Sequence, residues 1–597
     1  SITMIYVTTD KPLYRAGSSA AIRVKVSNEE GREITVTARI AALLNNDRLI
    51  SRDERVSLLR GETKVIETQV DLPGPGVLVA NADVDYDGKS TTDSVRAYVL
   101  DGGKRIRLAL VYHMHQPPWY LPNGAYYMDW AFRYVSDNLL SPFFDGGPYL
   151  FHAKLNEKYA NVKVNVNLSP SLLHQWIDAV ERGYTLMDGH AYGRDSIQVK
   201  RVDEALNLFR SQAKRGQMEV LTSLYAHTIA GYLIATHGMT DVIDEEVKAG
   251  IDVTKNIMGI DPIGVWTPEM AWDMSLLGIY ANAGLRYTVL CGRNHFPGSV
   301  GDKGSIYEPY DVGGFTVFFR DQRLSDVLAF ENNLFDERHA DRMARRILME
   351  AARAEGEDPV VVIALDGENF IAMSKTPGLV AVEMNALYHY LDLIQGDGLL
   401  STIRLSEVGP AKRRLTFIPT TSWLGGFSKW RGERQEHEQY WIKAIDSYRF
   451  IVGAEAALGR RLETARYALW HAVDSDFWWS DFWSGYMIDE WLRRAREEVA
   501  NSMSGVRASL EREVIETLAN RETSLGIRIS NETGAPVQLD VVCCRDVTTH
   551  VVGPGESVIK VSILPSVAGE YRIPVIVSSK GYGYRVLYQS LLVRAFP

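Results

Sequence analysis

Several protein classes are excluded by what this chain lacks. Three cysteines in 597 residues, Cys291 and the adjacent Cys543 and Cys544, make no disulfide framework. They read as small buried hydrophobes. No run of about 18 apolar residues occurs, so no membrane-spanning helix is expected. Lysine is scarce, with arginine outnumbering it by more than two to one. The net charge of -10 gives no electrostatic reason to bind nucleic acid. There is no fixed-period repeat and no low-complexity tract. No signal peptide is recognisable either. The chain opens SITMIYVTTD without an initiating Met, so an upstream segment is expected to have been removed. The expected location is extracellular or cell-surface, with the cytoplasm as the alternative.

What is abundant is aromatic. Trp numbers 13 and Tyr 29, and 46% of the chain is hydrophobic. That length and content imply two to four domains. Residues 1–102 alternate like strands in 20–28, 34–43, 63–72 and 93–100, with turns at PGPG (73–76) and YDGKS (86–90). A β-sandwich is expected there. TTDKPLYRAGSSAAIRV (8–24) resembles the first strands of macroglobulin-like and bacterial immunoglobulin-like domains. Residues 103–395 change to short apolar strands alternating with helices, the mark of a parallel sheet, open or closed into a barrel. Residues 396–523 read mainly helical, with long amphipathic segments at 435–458 and 489–521. Residues 524–597 return to a second sandwich.

In parallel α/β sheets and barrels, ligands sit at the C-terminal strand ends. Polar residues there are therefore the candidates. RLALVYHMHQPPWY (107–120) ends in His113, His115 and Gln116. GQMEVLTS (216–223) carries Glu219. GVWTPE (264–269) carries Trp266 and Glu269. PVVVIALDGENF (359–370) ends in Asp366 and Glu368. Ionised carboxylates following apolar strands are costly unless paired or used. Further on, ARYALWHAVDSDFWWSDFWSG (465–485) interleaves Trp470, His471, Asp474, Asp476 and Trp478, and TSWLGGFSKW (421–430) holds Trp423. Flat aromatic faces beside carboxylates suit polyhydroxylated substrates.

These segments, in this order, resemble the five conserved regions of glycoside hydrolase family 57: HMHQPP, GQMEV, WTPE, DGENF and SDFWW. The resemblance spans residues 105–520, and its fifth region is nearest the amylopullulanase and α-amylase branch. It implies an incomplete seven-stranded (β/α) barrel with a helical C-terminal region that completes the active site. The sandwiches at either end lie outside it. It implies retaining cleavage of α-glucosidic bonds in starch-like α-glucans, with α-1,4 links expected and cleavage of α-1,6 links left open. Glu269 is then the nucleophile and Asp366 the general acid/base. His113, His115, Gln116, Glu219, Trp266, Glu368, Trp423, Trp470, His471, Asp474, Asp476 and Trp478 bind the polysaccharide or oligosaccharide. No metal or other cofactor is implied. Transfer to a second sugar, as a 4-α-glucanotransferase or branching enzyme, is the alternative on the same scaffold.

Two other classes compete. His-x-His on a first strand with a late Asp also describes metal-dependent amidohydrolases and deacetylases. No second histidine pair appears at later strand ends, and EDTA sensitivity separates the two. A non-catalytic glucan-binding surface protein would bind without turnover. Retention of both Glu269 and Asp366 argues against it.

Overall fold

A computed structural model describes residues 4–597; the first three residues of the expected 1–102 sandwich lie outside the described residues. Two compact units are formed. One comprises residues up to Pro118 together with Met128–Gly426, and the other Trp119–Tyr127 together with Phe427–Pro597.

The first unit opens with two facing sheets. Met4–Thr9, Ser19–Ser27 and Thr63–Asp71 form one, and Leu13–Arg15, Lys89–Leu100, Gly76–Tyr86, Ile34–Leu44 and Asp47–Leu58 the other, in those spatial orders. Alternation places Val24, Val36, Ile40, Leu78 and Val84 inside. The hairpin at residues 86–89 turns through Asp87 and Gly88, both at positive φ, as a two-residue hairpin loop requires. Arg345, 2% exposed and on helix Glu337–Ala351, bolts this sandwich to the rest of the unit. Its guanidinium reaches Thr8 Oγ1 and Thr9 Oγ1, each at 2.7 Å, and Asp341 at 3.0 Å.

After the sandwich come the strands β1 (Ile106–Met114), β2 (Val164–Leu168), β3 (Met218–Leu221), β4 (Gly264–Val265), β5 (Tyr287–Cys291), β6 (Phe315–Arg320) and β7 (Val360–Asp366). Their buried, β-branched runs with helices between them give an α/β barrel fold. Ladders join β1 to β2, β2 to β3, β4 to β5, β5 to β6 and β7 to β1. A single bridge, Thr222 to Val265, links β3 to β4. Between β6 and β7 the described residues form no ladder. The neighbours meet through the Asp321 N–H donated to Val362 O at 2.8 Å and through Arg320, whose guanidinium donates to Ala364 O at 3.0 Å.

Two expectations are corrected. The sheet does not end by 395, because Leu400–Thr402 pairs with the start of β1. The amphipathic helix expected over 489–521 stops at Met503, and Val506–Leu510 and Val514–Leu518 are strands. Ser504-Gly505 breaks the helix, and the β-branched alternation of VIETL prevails beyond it.

In the second unit, helices His437–Leu458, Glu463–Ala472 and Gly485–Met503 pack together. Two sheets follow: Val506–Leu510, Thr523–Asn531 and Gly555–Ile563 in one, and five strands between Val514 and Phe596 in the other. No helix among the described residues is long and apolar enough to cross a membrane.

Candidate active site

The chemistry in the first unit gathers at the C-terminal ends of β1, β2, β4 and β7. His113 is the penultimate residue of β1. In the strand register it stands level with Asn167 on β2 and Asp366 on β7. His113, His115 and Gln116 are each 6% exposed.

The hydrogen bonds of Asn167 fix the His113 tautomer. Its amide nitrogen donates to Leu221 O at 2.9 Å and to Thr222 O at 3.2 Å. Its Oδ1, 2.7 Å from His113 Nδ1, must then accept. Burial pushes the His113 pKa down to about 4 against the opposing pull of the Asp366 charge, so the ring is neutral at ordinary pH. With the proton on Nδ1, Nε2 is an acceptor, and it takes the Nε2–H of His227 at 3.1 Å. Three imidazoles stack here: His115 lies 4.3 Å from His227, and His113 5.1 Å from it. Burial also holds His227 well below its ordinary pKa. The loop carrying His227 is pinned on both sides by buried Glu246, which accepts from Ala226 N at 3.0 Å and Thr228 Oγ1 at 2.7 Å. His115 Nδ1 pairs with Ser169 Oγ at 2.7 Å, and the same hydroxyl caps helix Pro170–Arg182.

Glu269 follows β4 within a single tight turn, Pro268–Met270. Its φ is +57°, and that of Met270 is +47°. A non-glycine residue in the left-handed region costs about 1–3 kcal/mol and persists where surrounding contacts enforce it, often at functional positions. The enforcing contacts come from Trp423, whose backbone N–H donates to Glu269 O at 3.2 Å and whose indole N–H donates to Glu269 Oε2 at 2.8 Å. Glu269 Oε1 lies 3.5 Å from His227 Nδ1. The Arg320 guanidinium sits 5.9 Å from the Trp423 ring centre.

Asp366 ends β7, is part-exposed, and accepts from Asn369 Nδ2 at 2.8 Å. Glu368 is buried and faces the Tyr149 hydroxyl. Burial and the Glu368 charge together raise that phenol well above its ordinary value. Tyr149 also donates to His115 O at 3.1 Å and accepts from Gln116 Nε2 at 3.2 Å.

The structure places the other expected residues as well. Glu219 does not sit at the strand mouth. It pairs in register with Asn165, two residues below the His113 level, so it faces the same side but a deeper layer. There it accepts from Ser406 N at 2.9 Å and from the Tyr287 hydroxyl, which are structural contacts. Trp266 is 4% exposed, and its face lies on His113 at 4.7 Å and 7°, so an imidazole holds that face. Trp423 spends its N–H on Glu269.

Trp470, His471, Asp474, Asp476 and Trp478 belong to the second unit. Trp478 is fully enclosed, stacked on Trp441 at 3.6 Å, with its N–H donated to Ala472 O. It is a packing residue, because an open stacking surface needs a free face. His471 is likewise enclosed, bonded to Tyr120 OH at 2.7 Å and stacked on Trp491 at 4.1 Å. Asp474, buried, caps the turn at Ser475–Trp478 by accepting from Asp476 N at 2.9 Å. Trp470 is 9% exposed and packs edge-on to Tyr467, while Asp476 is part-exposed.

Sequence reasoning missed His227, Asn167, Tyr149 and Arg320. Only Asn167 carried a legible signal: in VNVNL the polar residues alternate along a buried strand, so both asparagines point one way.

Comparison with known proteins adds the decisive observation: the sequence pattern of glycosyl hydrolase family 57 matches residues 109–412. The chain belongs to glycosyl hydrolase family 57. It is thus of a carbohydrate-active enzyme family, and the matched span contains Glu269 and Asp366. A 4-alpha-glucanotransferase of Thermococcus litoralis is 25% identical over 338 residues, 55% of this chain and 42% of that protein. An alpha-amylase of Pyrococcus horikoshii is 25% identical over 334 residues, 55% of this chain and 44% of that protein. The matches thus cover less than half the length of these relatives. The crystal structure of the Thermococcus litoralis 4-alpha-glucanotransferase aligns with a TM-score of 0.49 at 18% identity, covering 73% of this chain and 64% of that one.

Proposed function

We propose that this chain is a retaining glycoside hydrolase acting on α-glucans, with Glu269 as nucleophile and Asp366 as general acid/base. β1–β7 are read as the incomplete seven-stranded barrel, opened at the β6–β7 seam. One observation carries the reading: Glu269 is a carboxylate held in a left-handed backbone, with an indole N–H on Oε2, beside neutral imidazoles. A group so constrained is pre-organised to attack.

The reaction balances in two steps. A Glu269 oxygen bonds to the anomeric carbon as the glycosidic C–O bond breaks, and Asp366 gives its proton to the departing oxygen. Water then attacks the glycosyl-enzyme, Asp366 takes back a proton, and Glu269 leaves as carboxylate. A sugar hydroxyl in place of water makes the same chemistry a transfer. The relatives bear both names, alpha-amylase and 4-alpha-glucanotransferase, so the acceptor is an outcome to be measured.

The test is product analysis on amylose and pullulan with the wild type and Glu269→Gln. New reducing ends from amylose, absent with the variant, support hydrolysis, and maltotriose from pullulan adds α-1,6 cleavage. Redistributed chain lengths without new reducing ends make it a transferase. No change to either polymer defeats the α-glucan reading. Activity lost on dialysis against EDTA and restored by a divalent metal would instead support the metal-dependent class.

A further inference from the structure

The turn that carries the proposed acid is held by a residue outside every sequence motif. His152 lies on helix Pro148–Lys158, 1% exposed, with its ring against Tyr112 at 4.5 Å and Phe370 at 6.0 Å. Its Nε2 is 2.8 Å from Gly367 O. A carbonyl can only accept, so Nε2 carries the proton. Burial pushes the His152 pKa down to about 4, which leaves Nδ1 without a proton, and among the described residues that buried atom has no hydrogen-bond partner. The ring therefore makes one side-chain hydrogen bond, and it goes to the carbonyl of Gly367, the residue between Asp366 and Glu368.

Gly367 is gripped from the other side as well. Gly367 N–H donates to His113 O at 2.8 Å. A Cβ on Gly367 would lie 2.8 Å from Met114 Cγ, so no side chain separates the turn from β1. Gly367 is thus fixed to the first strand through its N–H, in the peptide that follows Asp366, and to helix Pro148–Lys158 through its C=O, in the peptide that precedes Glu368. Asp366, one residue earlier, has its side chain tied, among the described residues, only to exposed Asn369. Its backbone clamp is what sets the direction of its carboxyl.

We infer that His152 is a positioning residue for Asp366, aiming the acid at the departing oxygen by holding Gly367, the next residue in the turn. This rests on the assignment of Asp366 above. The inference predicts a signature that general loss of packing would not give. A sugar leaving group needs its oxygen protonated as the bond breaks, whereas fluoride departs with little help. Misaiming the acid therefore harms the first far more than the second.

The experiment compares kcat/KM, which reports the first irreversible step, on a maltooligosaccharide and on α-maltosyl fluoride. Asp366→Asn, His152→Leu, His152→Asn and His152→Gln are run beside the wild type. General acid catalysis is worth roughly 100- to 10,000-fold, so Asp366→Asn should lose that much on the oligosaccharide and far less on the fluoride. His152→Leu should lose about 10- to 100-fold on the oligosaccharide and under about threefold on the fluoride, the scale of a misplaced group. The Gln amide can donate from near the Nε2 position, so His152→Gln should recover most of the loss. Asn is too short and should not. Equal losses on both substrates, no loss, or a Gln variant no better than Leu overturn the positioning role. If Leu does not fold, the Gln and Asn pair decides. If Asp366→Asn loses both substrates equally, the acid assignment itself fails, whatever His152 does.

Discussion

Gly231 offers the sharpest test of how the nucleophile is held. It lies at the start of helix Ala230–His237, and its N–H donates to Ala271 O at 3.0 Å. Backbone approaches so closely there that a Cβ would lie 2.6 Å from Ala271 O and 2.6 Å from Trp272 O. Both are backbone atoms two and three residues beyond Glu269, so neither can swing aside as a side-chain tip would. Relieving the clash requires an opening of roughly 0.4–0.8 Å, on the scale at which misplacement costs up to about 100-fold in rate. Overpacking of this kind costs about 1–3 kcal/mol in stability. Gly231→Ala should therefore fall in melting temperature and lose about 10- to 100-fold in kcat on amylose. Gly278, in helix Leu276–Asn282 with open space around it, is the control, and Gly278→Ala should leave kcat unchanged and hold or slightly raise the melting temperature. The decisive comparison is Gly231→Ala with full kcat. That outcome would mean the Glu269 turn does not depend on the helix beside it, and the argument from enforced strain would fall.

Three further outcomes are expected. Trp423→Phe keeps a ring near Arg320 but removes the N–H on Glu269 Oε2; a hydrogen bond to a charged group is worth about 1.5–3 kcal/mol, so kcat/KM should fall roughly tenfold or more while the melting temperature moves little. Arg345→Met strips the sandwich of its buried anchor at a cost of about 3–5 kcal/mol, and limited proteolysis should then cut between residues 100 and 105 sooner than in the wild type. Glu383, 1% exposed, has its pKa raised by burial to about 8. The folded state then binds more protons than the unfolded chain between the ordinary carboxyl value and about 8, so this group's contribution falls as pH rises across that window. Glu383→Gln should match the wild type near pH 4.5 and melt progressively higher than it up to pH 8, and identical melting curves at pH 8 would refute the burial argument.

The order of elements was legible because hydrophobic period is a local property. Val360–Ala364 reads as a buried parallel strand without knowledge of its neighbours, and His113 and Asp366, chosen for standing at such strands' ends, lie level with each other in the register of β1 and β7. The failures share one cause. Glu219 is a candidate through its place in GQMEVLTS and in the second of the five regions, yet depth in a barrel is set by register between strands, and a shift of two residues keeps the face while changing the layer. The helix carried to 521 failed for a related reason, since charge periodicity over RASLEREVIETL is compatible with both a helix and paired strands, and a partner strand decided it.

The residues that reading could not reach act through other residues. His227 precedes Thr228, whose loop is pinned by Glu246 some twenty residues on, and His152 meets Gly367 across 215 positions. Nothing in the local sequence distinguishes His152 from a histidine merely buried among aromatics. Its function lies in which carbonyl it faces, and that depends on the closure of β7 against β1. A motif marks the groups that meet substrate because their chemistry constrains residue type. The groups that aim them are constrained by position, so the number of ways to supply one N–H to the Gly367 carbonyl is larger than the number of ways to supply a nucleophile. Positioning residues should accordingly be interchangeable with any donor of matching reach, and that is why replacement of His152 by Gln, rather than its deletion, is the informative substitution.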